Sequence, residues 1–481
     1  TQNFTTATNT YNTAVGFEAG NDFTTGIKNT LLGANAGDHL TDADFNVAIG
    51  YLALDADTLG SGSTAIGLQA LTTQNFTTAT TTYNVAVGFQ AGLSVTTGTS
   101  NNLVGGLGGD ALTTGSYNQV LGTAALGADT QGSRSIAIGH AALLAQNFTT
   151  ATDVYNVAIG HNAGLSVTTG SENTLLGGVA GDALTTGGSN IVVGVGSLSA
   201  DTQGSRSVAV GRSALQDQNF TTATDNYNVA VGYEAGKRIT TGIKNILIGG
   251  LAGDALTDAD FNVGVGNGAL TSDTLGSGSV AIGASALATQ NFTTATNAYN
   301  VAVGFETGQL ITTGVNNTLI GGLAGDALTI GRDNVAVGYA ALTSDDVGTD
   351  AVAIGKGALQ NQNFATETAS YNVAVGRDAG NDITTGTQNT IVGGLAADAL
   401  TVGIHNVALG YAALTQDTKG SASVAVGNEA LSTQNFTTAT DTYNVGVGDQ
   451  AGKSITTGVE NTLLGGLAGD AITTGNYNIC I

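Results

Sequence analysis

One pentapeptide pattern returns from end to end of this 481-residue chain, and its spacing constrains the fold more than any other feature. Asn228-Val229-Ala230-Val231-Gly232 is a full example, and Asn12-Thr13-Ala14-Val15-Gly16, Asn29-Thr30-Leu31-Leu32-Gly33, Asn46-Val47-Ala48-Ile49-Gly50 and Ser63-Thr64-Ala65-Ile66-Gly67 are relatives. Their glycines, at 16, 33, 50 and 67, lie 17 residues apart, and the next, Gly88, follows after 21. The resulting 72-residue period also places the Gln-Asn-Phe triplets, which begin at Gln2, Gln74, Gln146, Gln218, Gln290, Gln362 and Gln434. A period this short and strict belongs to a solenoid, in which each coil contacts only its neighbours. Residues 1–481 therefore read as a single continuous repeat fibre whose last unit is incomplete.

Within a coil the pentapeptide is a strand, with Val229 and Val231 on one face and Ala230 on the other. Both faces are apolar, as in a strand covered on two sides. Ala235-Gly236 suits a tight corner, Ile239-Thr240-Thr241-Gly242 forms a second extended segment, and Ile243-Lys244 leads back to Asn245. One coil cannot stand alone. A buried Val or Ile contributes about 1.5–3 kcal/mol, whereas ordering each backbone residue costs roughly 1–2 kcal/mol. The expected fold is all-β, a parallel β-roll or β-solenoid of 27 coils with 17, 17, 17 and 21 residues per unit. At ~4.8 Å per coil such a fibre extends roughly 130 Å.

The four coils of a unit differ regularly. The first ends in an apolar residue and Thr-Thr-Gly, as at Phe23-Thr24-Thr25-Gly26; the second has a larger strand centre (Leu31, Leu103, Leu175, Leu247, Leu319, Ile391, Leu463); the third carries Asp57-Thr58-Leu59-Gly60 or its counterpart. The fourth is longer, so its four extra residues, around Gln74-Asn75-Phe76-Thr77-Thr78-Ala79-Thr80, are expected to bulge outward. Strand-opening asparagines (Asn29, Asn46, Asn84, Asn101, Asn118) can bond to one another along the stack, as in other ladders of identical residues.

Composition narrows the class. Gly is abundant at 73 residues, Pro, Met and Trp are absent and aromatics are 5%, so the core must be built of small side chains at close backbone spacing. Absence of Pro suits a sheet that needs nearly every N–H. The formal charge of −24, from 36 acidic and 12 basic residues, comes without a basic stripe, which argues against nucleic acid as a partner. No apolar run reaches the length of a membrane span, so no membrane insertion is expected. The single cysteine, Cys480, excludes an internal disulfide. Thr1-Gln2-Asn3-Phe4 and Asn478-Ile479-Cys480-Ile481 read as ends cut from a longer polypeptide.

Ser279-Val280-Ala281-Ile282-Gly283, Ser135-Ile136-Ala137-Ile138-Gly139 and the run Asn228 to Gly236 resemble head repeats of YadA-type trimeric autotransporter adhesins. Asn46-Val47-Ala48-Ile49-Gly50-Tyr51-Leu52-Ala53-Leu54 is similar to the Asn-x-Ala-Ile-Gly-Tyr-x-Ala-Leu repeats of phage and viral tail fibres. The resemblance covers the whole chain and implies a left-handed β-roll, three parallel chains and an extracellular attachment fibre on a virion or cell surface. Coils in the adhesin heads are shorter than here, and no neck, coiled-coil stalk or anchor is visible. A homotrimer gives the two apolar strand faces separate uses: Val and Ile line the chain's own roll, and the Ala column (Ala14, Ala48, Ala65, Ala230, Ala302) meets partner chains.

Chemistry is expected to be absent: no catalytic, cofactor-binding or metal residue is assigned, and no cofactor. The four histidines, His39, His140, His161 and His405, read as isolated surface residues at different phases of the repeat. Gly448-Asp449-Gln450-Ala451-Gly452-Lys453-Ser454 has the outline of a phosphate loop, but Val447 stands where Gly is needed. Asp42/Asp44 and Asp258/Asp260 could hold calcium but occur in two of seven units. The column Asp38, Asp110, Asp182, Asp254, Asp326, Asp398 and Asp470 suits turn stabilisation. Asn-Phe-Thr at Asn3, Asn75, Asn147, Asn219, Asn291 and Asn435 matches a glycosylation acceptor, and Ala365 breaks it at Asn363. The expected function is a non-catalytic structural or attachment shaft, with any glycan or receptor engaged through parts outside this segment. The alternative, an ice-binding solenoid, rests on the Thr-Thr-Gly segments.

Overall fold

The computed structural model describes residues 4–481. It contains two compact units, Thr1–Thr241 and Gly242–Ile481. Each is a parallel β-solenoid. In the first unit thirteen column strands run from Thr13–Val15 to Val229–Val231, and in the second fourteen run from Ile246–Ile248 to Ile479–Cys480. These are the 27 coils expected from the glycine columns. No helix occurs among the described residues, hence none long and apolar enough to cross a membrane.

The register follows the sequence period. Val85, Ala86 and Val87 pair with Asn102, Leu103 and Val104, one coil on, and those pair with Gln119, Val120 and Leu121. Across the long coil the offset becomes 21, as in Ala65 opposite Ala86, so the strands keep their phase. The extra residues do bulge in part. Thr77, Thr78 and Ala79 are exposed, and Thr80–Thr81 returns to the stack by pairing with Gly60–Ser61. Gln74 and Phe76 turn inward instead, the glutamine fully buried and the phenylalanine 7% exposed.

The strand faces are the reverse of the expectation. Ala48, Ala86, Ala230 and Ala302 are fully buried within the chain's own coil, together with Leu31, Leu103 and Leu319 at the same place in the second coils. The flanking residues look outward: Leu121 is 52% exposed, Ile191 47% and Ile320 40%. The Ala column therefore cannot meet partner chains. A roll of 17 residues encloses so little space that its interior admits only a few side chains per coil. Val and Ile are favoured at the outward positions by their fit to a pleated strand rather than by burial.

Two glycine columns make the stack possible. At Gly88, φ is +143° and a Cβ would lie 2.5 Å from the carbonyl oxygen of Gly105, one coil on. That carbonyl approach excludes every other residue. At Gly92 a Cβ would lie 2.7 Å from Leu103 Cδ1 and 3.0 Å from Leu71 Cδ2, so this glycine leaves the volume that the larger core residues fill.

Candidate functional site

The recurring polar side chains converge on the interior, starting with the strand-opening asparagines. Asn84 Oδ1 accepts the backbone N–H of Asn101 at 3.0 Å, and Asn101 Nδ2 donates to the carbonyl of Gly115 at 2.9 Å. Asn118 repeats both bonds one coil later, at 3.0 Å each. Side-chain to side-chain bonds also occur, as from Asn118 Nδ2 to Asn101 Oδ1 at 3.1 Å. The ladder thus runs mainly between side chain and backbone, because the next coil's opening N–H lies nearest the amide oxygen.

At each fourth coil, where Ser, or Ala351 in the fifth unit, replaces Asn, a buried relay takes over. Asp57 Oδ1 accepts the N–H groups of Gly60 and Phe76, both at 3.1 Å, and Asp57 Oδ2 accepts from Gln74 Nε2 at 2.6 Å. Gln74 Nε2 also reaches Ser63 Oγ at 2.8 Å, and Gln74 Oε1 accepts from Asn84 Nδ2 at 2.8 Å, which rejoins the ladder. Asp129, Asp201, Asp273, Asp345 and Asp417 repeat the bond to Gln146, Gln218, Gln290, Gln362 and Gln434. Burial pushes the carboxyls of Asp57, Asp201 and Asp345 above the usual carboxylate range, against the opposing pull of their donors. These groups are held in full by protein donors.

The sequence carries a sign of this relay in the exchange of two columns. Asp57 and Gln74 occupy the place that Val95 and Leu112 take in first and second coils, and Leu54 and Leu71 appear three residues earlier, where those coils have Gly92 and Gly109. The leucine restores the apolar volume that the polar residue gives up.

Other anticipated residues also link coils. Asp44 Oδ1 accepts the N–H of Ile27 at 2.8 Å, Asp260 Oδ1 that of Ile243 at 2.8 Å, and Asp42 accepts from the Thr25 hydroxyl. In the later units the Asp column accepts from threonine hydroxyls of the next coil, Thr271 to Asp254 at 2.5 Å, Thr343 to Asp326 and Thr415 to Asp398. The turn role expected for that column is thereby a link between turns. Gly448 and Gly452, with φ of +140° and +61°, form an ordinary coil corner. Asn75, Asn147, Asn219 and Asn435 are exposed beside buried phenylalanines, while Asn3 lies outside the described residues.

The histidines are not all isolated. His140 and His161 both follow the strand glycine in successive coils, and their rings stack at 5.2 Å. Asp38, His39 and Asp55 offer ligand atoms within 4.8 Å of one another, the one such group among the described residues. His39 Nδ1 already lies 3.0 Å from the Asp55 carbonyl.

Outward, two surfaces stand out. One is the apolar row of the strands, extended by Tyr51, Phe89, Phe305 and Tyr339 beyond the strand glycines, each more than half exposed. The other is an edge of aromatic residues just before the strands, where Tyr83, Tyr155, Tyr299, Tyr371 and Tyr443 recur with the 72-residue period and Phe45, Tyr117 and Phe261 are added. Where a further coil follows, the first threonine of a Thr-Thr-Gly segment turns to the stack: Thr96 Oγ1 donates to the Thr113 carbonyl at 3.2 Å and Thr113 Oγ1 to that of Thr130 at 2.9 Å. No protein-family model, curated protein or solved structure matches this chain.

Proposed function

We propose that this chain is the shaft of an extracellular structural or attachment fibre, of the phage or viral tail-fibre or cell-surface adhesin type, and that it works as a parallel homotrimer without catalysis. The observation that carries the reading is the division of labour in each coil. The recurring buried polar groups go to bonds between coils, while an apolar row stays on the outside of the strands. A row of this length is larger than soluble monomers ordinarily leave bare. The partner that fits it is a second and third copy of the same chain, whose rows have the same spacing. Under this reading Val and Ile, not Ala, form the contact between chains.

The ice-binding alternative retains only the second threonine of each segment, as at the exposed Thr97 and Thr114, because the first donates its hydroxyl along the stack. Analytical ultracentrifugation tests the proposal: the parent chain should sediment as a trimer, and Leu176→Lys with Ile320→Lys should sediment as a folded monomer. A parent that stays monomeric at every concentration, or a double variant as trimeric as the parent, removes the proposed interface. Thermal hysteresis by the parent would restore the ice-binding reading.

A further inference from the structure

In the second repeat unit, the aromatic edge holds a filled slot. The guanidinium carbon of Arg134 lies 5.2 Å from the centre of the Tyr117 ring and 5.8 Å from that of Tyr155, one coil to either side. Arg134 Nε is 2.9 Å from Asp153 Oδ1. A planar cation between two ring faces, with a carboxylate at its edge, meets every requirement of cation–π recognition.

The first unit has the same slot without its occupant. Phe45 and Tyr83 stand where Tyr117 and Tyr155 do, and Gly62 stands where Arg134 does. Phe45, Gly62, Tyr83 and Asp44 line a cavity of about 430 Å³. A Cβ at Gly62 would meet nothing closer than Thr81 Cγ2, at 3.6 Å, so the floor is open. The carboxylate has changed sides: Thr81 replaces Asp153, and Asp44 replaces Ser116. Lys28 Nζ sits 4.9 Å from the Phe45 ring centre. Phe45 therefore already bears one cation, and Tyr83 and Asp44 supply the attraction for a second. The residue set recurs in the fourth unit as Phe261, Gly278, Tyr299 and Asp260, but there the Tyr299 ring lies over the glycine, 3.2 Å from its Cβ position, and closes the slot.

We propose that the Phe45–Gly62–Tyr83 slot binds the guanidinium group of an arginine side chain on a partner polypeptide. The chain itself demonstrates the fit through Arg134. Its net charge of −24 draws cations to the surface, and the flat gap between rings favours a planar guanidinium over a compact, strongly hydrated ammonium. This proposal stands apart from the fibre reading and does not need the trimer.

The experiment is fluorescence anisotropy of a fluorescein-labelled peptide of alternating Gly and Arg, against the same peptide with Lys. The Arg peptide should bind at least tenfold more tightly. Gly62→Arg should abolish binding by filling the slot from within. The fold accepts arginine there, since Arg134 and Arg206 hold the same repeat position at φ +64°. Because that variant also adds charge, Tyr83→Leu is measured beside it, with circular dichroism to confirm folding, and should weaken binding at least tenfold at unchanged charge. Equal binding of the Lys peptide, or unchanged binding by folded Tyr83→Leu, overturns the proposal.

Discussion

The side-chain amide of Gln74 donates to Asp57 Oδ2 at 2.6 Å, and both residues are fully buried in a column that other coils fill with apolar side chains. The bond carries the polar ladder across the coil where its asparagine is missing. Asp57→Asn would present an amide N–H₂ to one of the donors that now meet an oxygen. The expected loss is about 1–3 kcal/mol for the unsatisfied group. Hydrogen exchange should show it as lost amide protection around Gly60 and Phe76, and unchanged protection at both would rule out the relay's structural role.

Raised carboxyl pKa values make a pH prediction. Asp57, Asp201 and Asp345 are shifted up by burial, so the folded state binds protons more readily than the unfolded chain. Their stabilising contribution is full below the ordinary carboxylate range and is lost as pH rises through the raised folded values. The denaturation midpoint should therefore be higher at mildly acidic pH than at pH 8. Repulsion within a chain of net charge −24 acts in the same direction but is screened by salt. A pH dependence that vanishes in high salt would assign the whole effect to surface charge.

Glycine substitutions should separate by position. Gly88→Ala meets both an unfavourable φ of +143° and the Gly105 carbonyl, and should cost at least the roughly 1–3 kcal/mol of a strained backbone. A Cβ at Gly178 meets nothing within 4 Å, and Gly178→Ala should stay within about 0.5 kcal/mol of the parent. Thermal denaturation of the pair gives the comparison, and equal midpoints would contradict the close approach of coils.

Neighbouring residues of one strand should respond oppositely to charge. Ala230→Arg buries a guanidinium inside the coil and should destabilise by about 3–5 kcal/mol, the range for an uncompensated buried charge. Val231→Arg points outward and should leave single-chain stability within about 0.5 kcal/mol. Chemical denaturation below the concentration at which chains associate measures both, and a tolerated Ala230→Arg would show the faces to be assigned the wrong way round.

The sequence by itself determined the coil count, the strand positions and the parallel register. The glycine, asparagine and Ala or Leu columns repeat with a fixed step, and only stacking satisfies a unit that cannot bury a core alone. It also contained the exchange of Gly92 and Val95 for Leu71 and Gln74, but nothing local marks Gln74 as buried. The tertiary structure alone decided which strand face is inside, since Val-Ala-Val is apolar on both faces and its alternation carries no sign. It decided too that Tyr83, Glu234 and Leu71 take positive φ, at +51°, +53° and +49°. A left-handed corner disfavours such residues by about 1–2 kcal/mol each. Contacts between coils, seen only once the chain has closed its turn, offset that cost. The slot around Gly62 belongs to the same class: its rings come from residues 38 apart, and closure of the coils makes them neighbours.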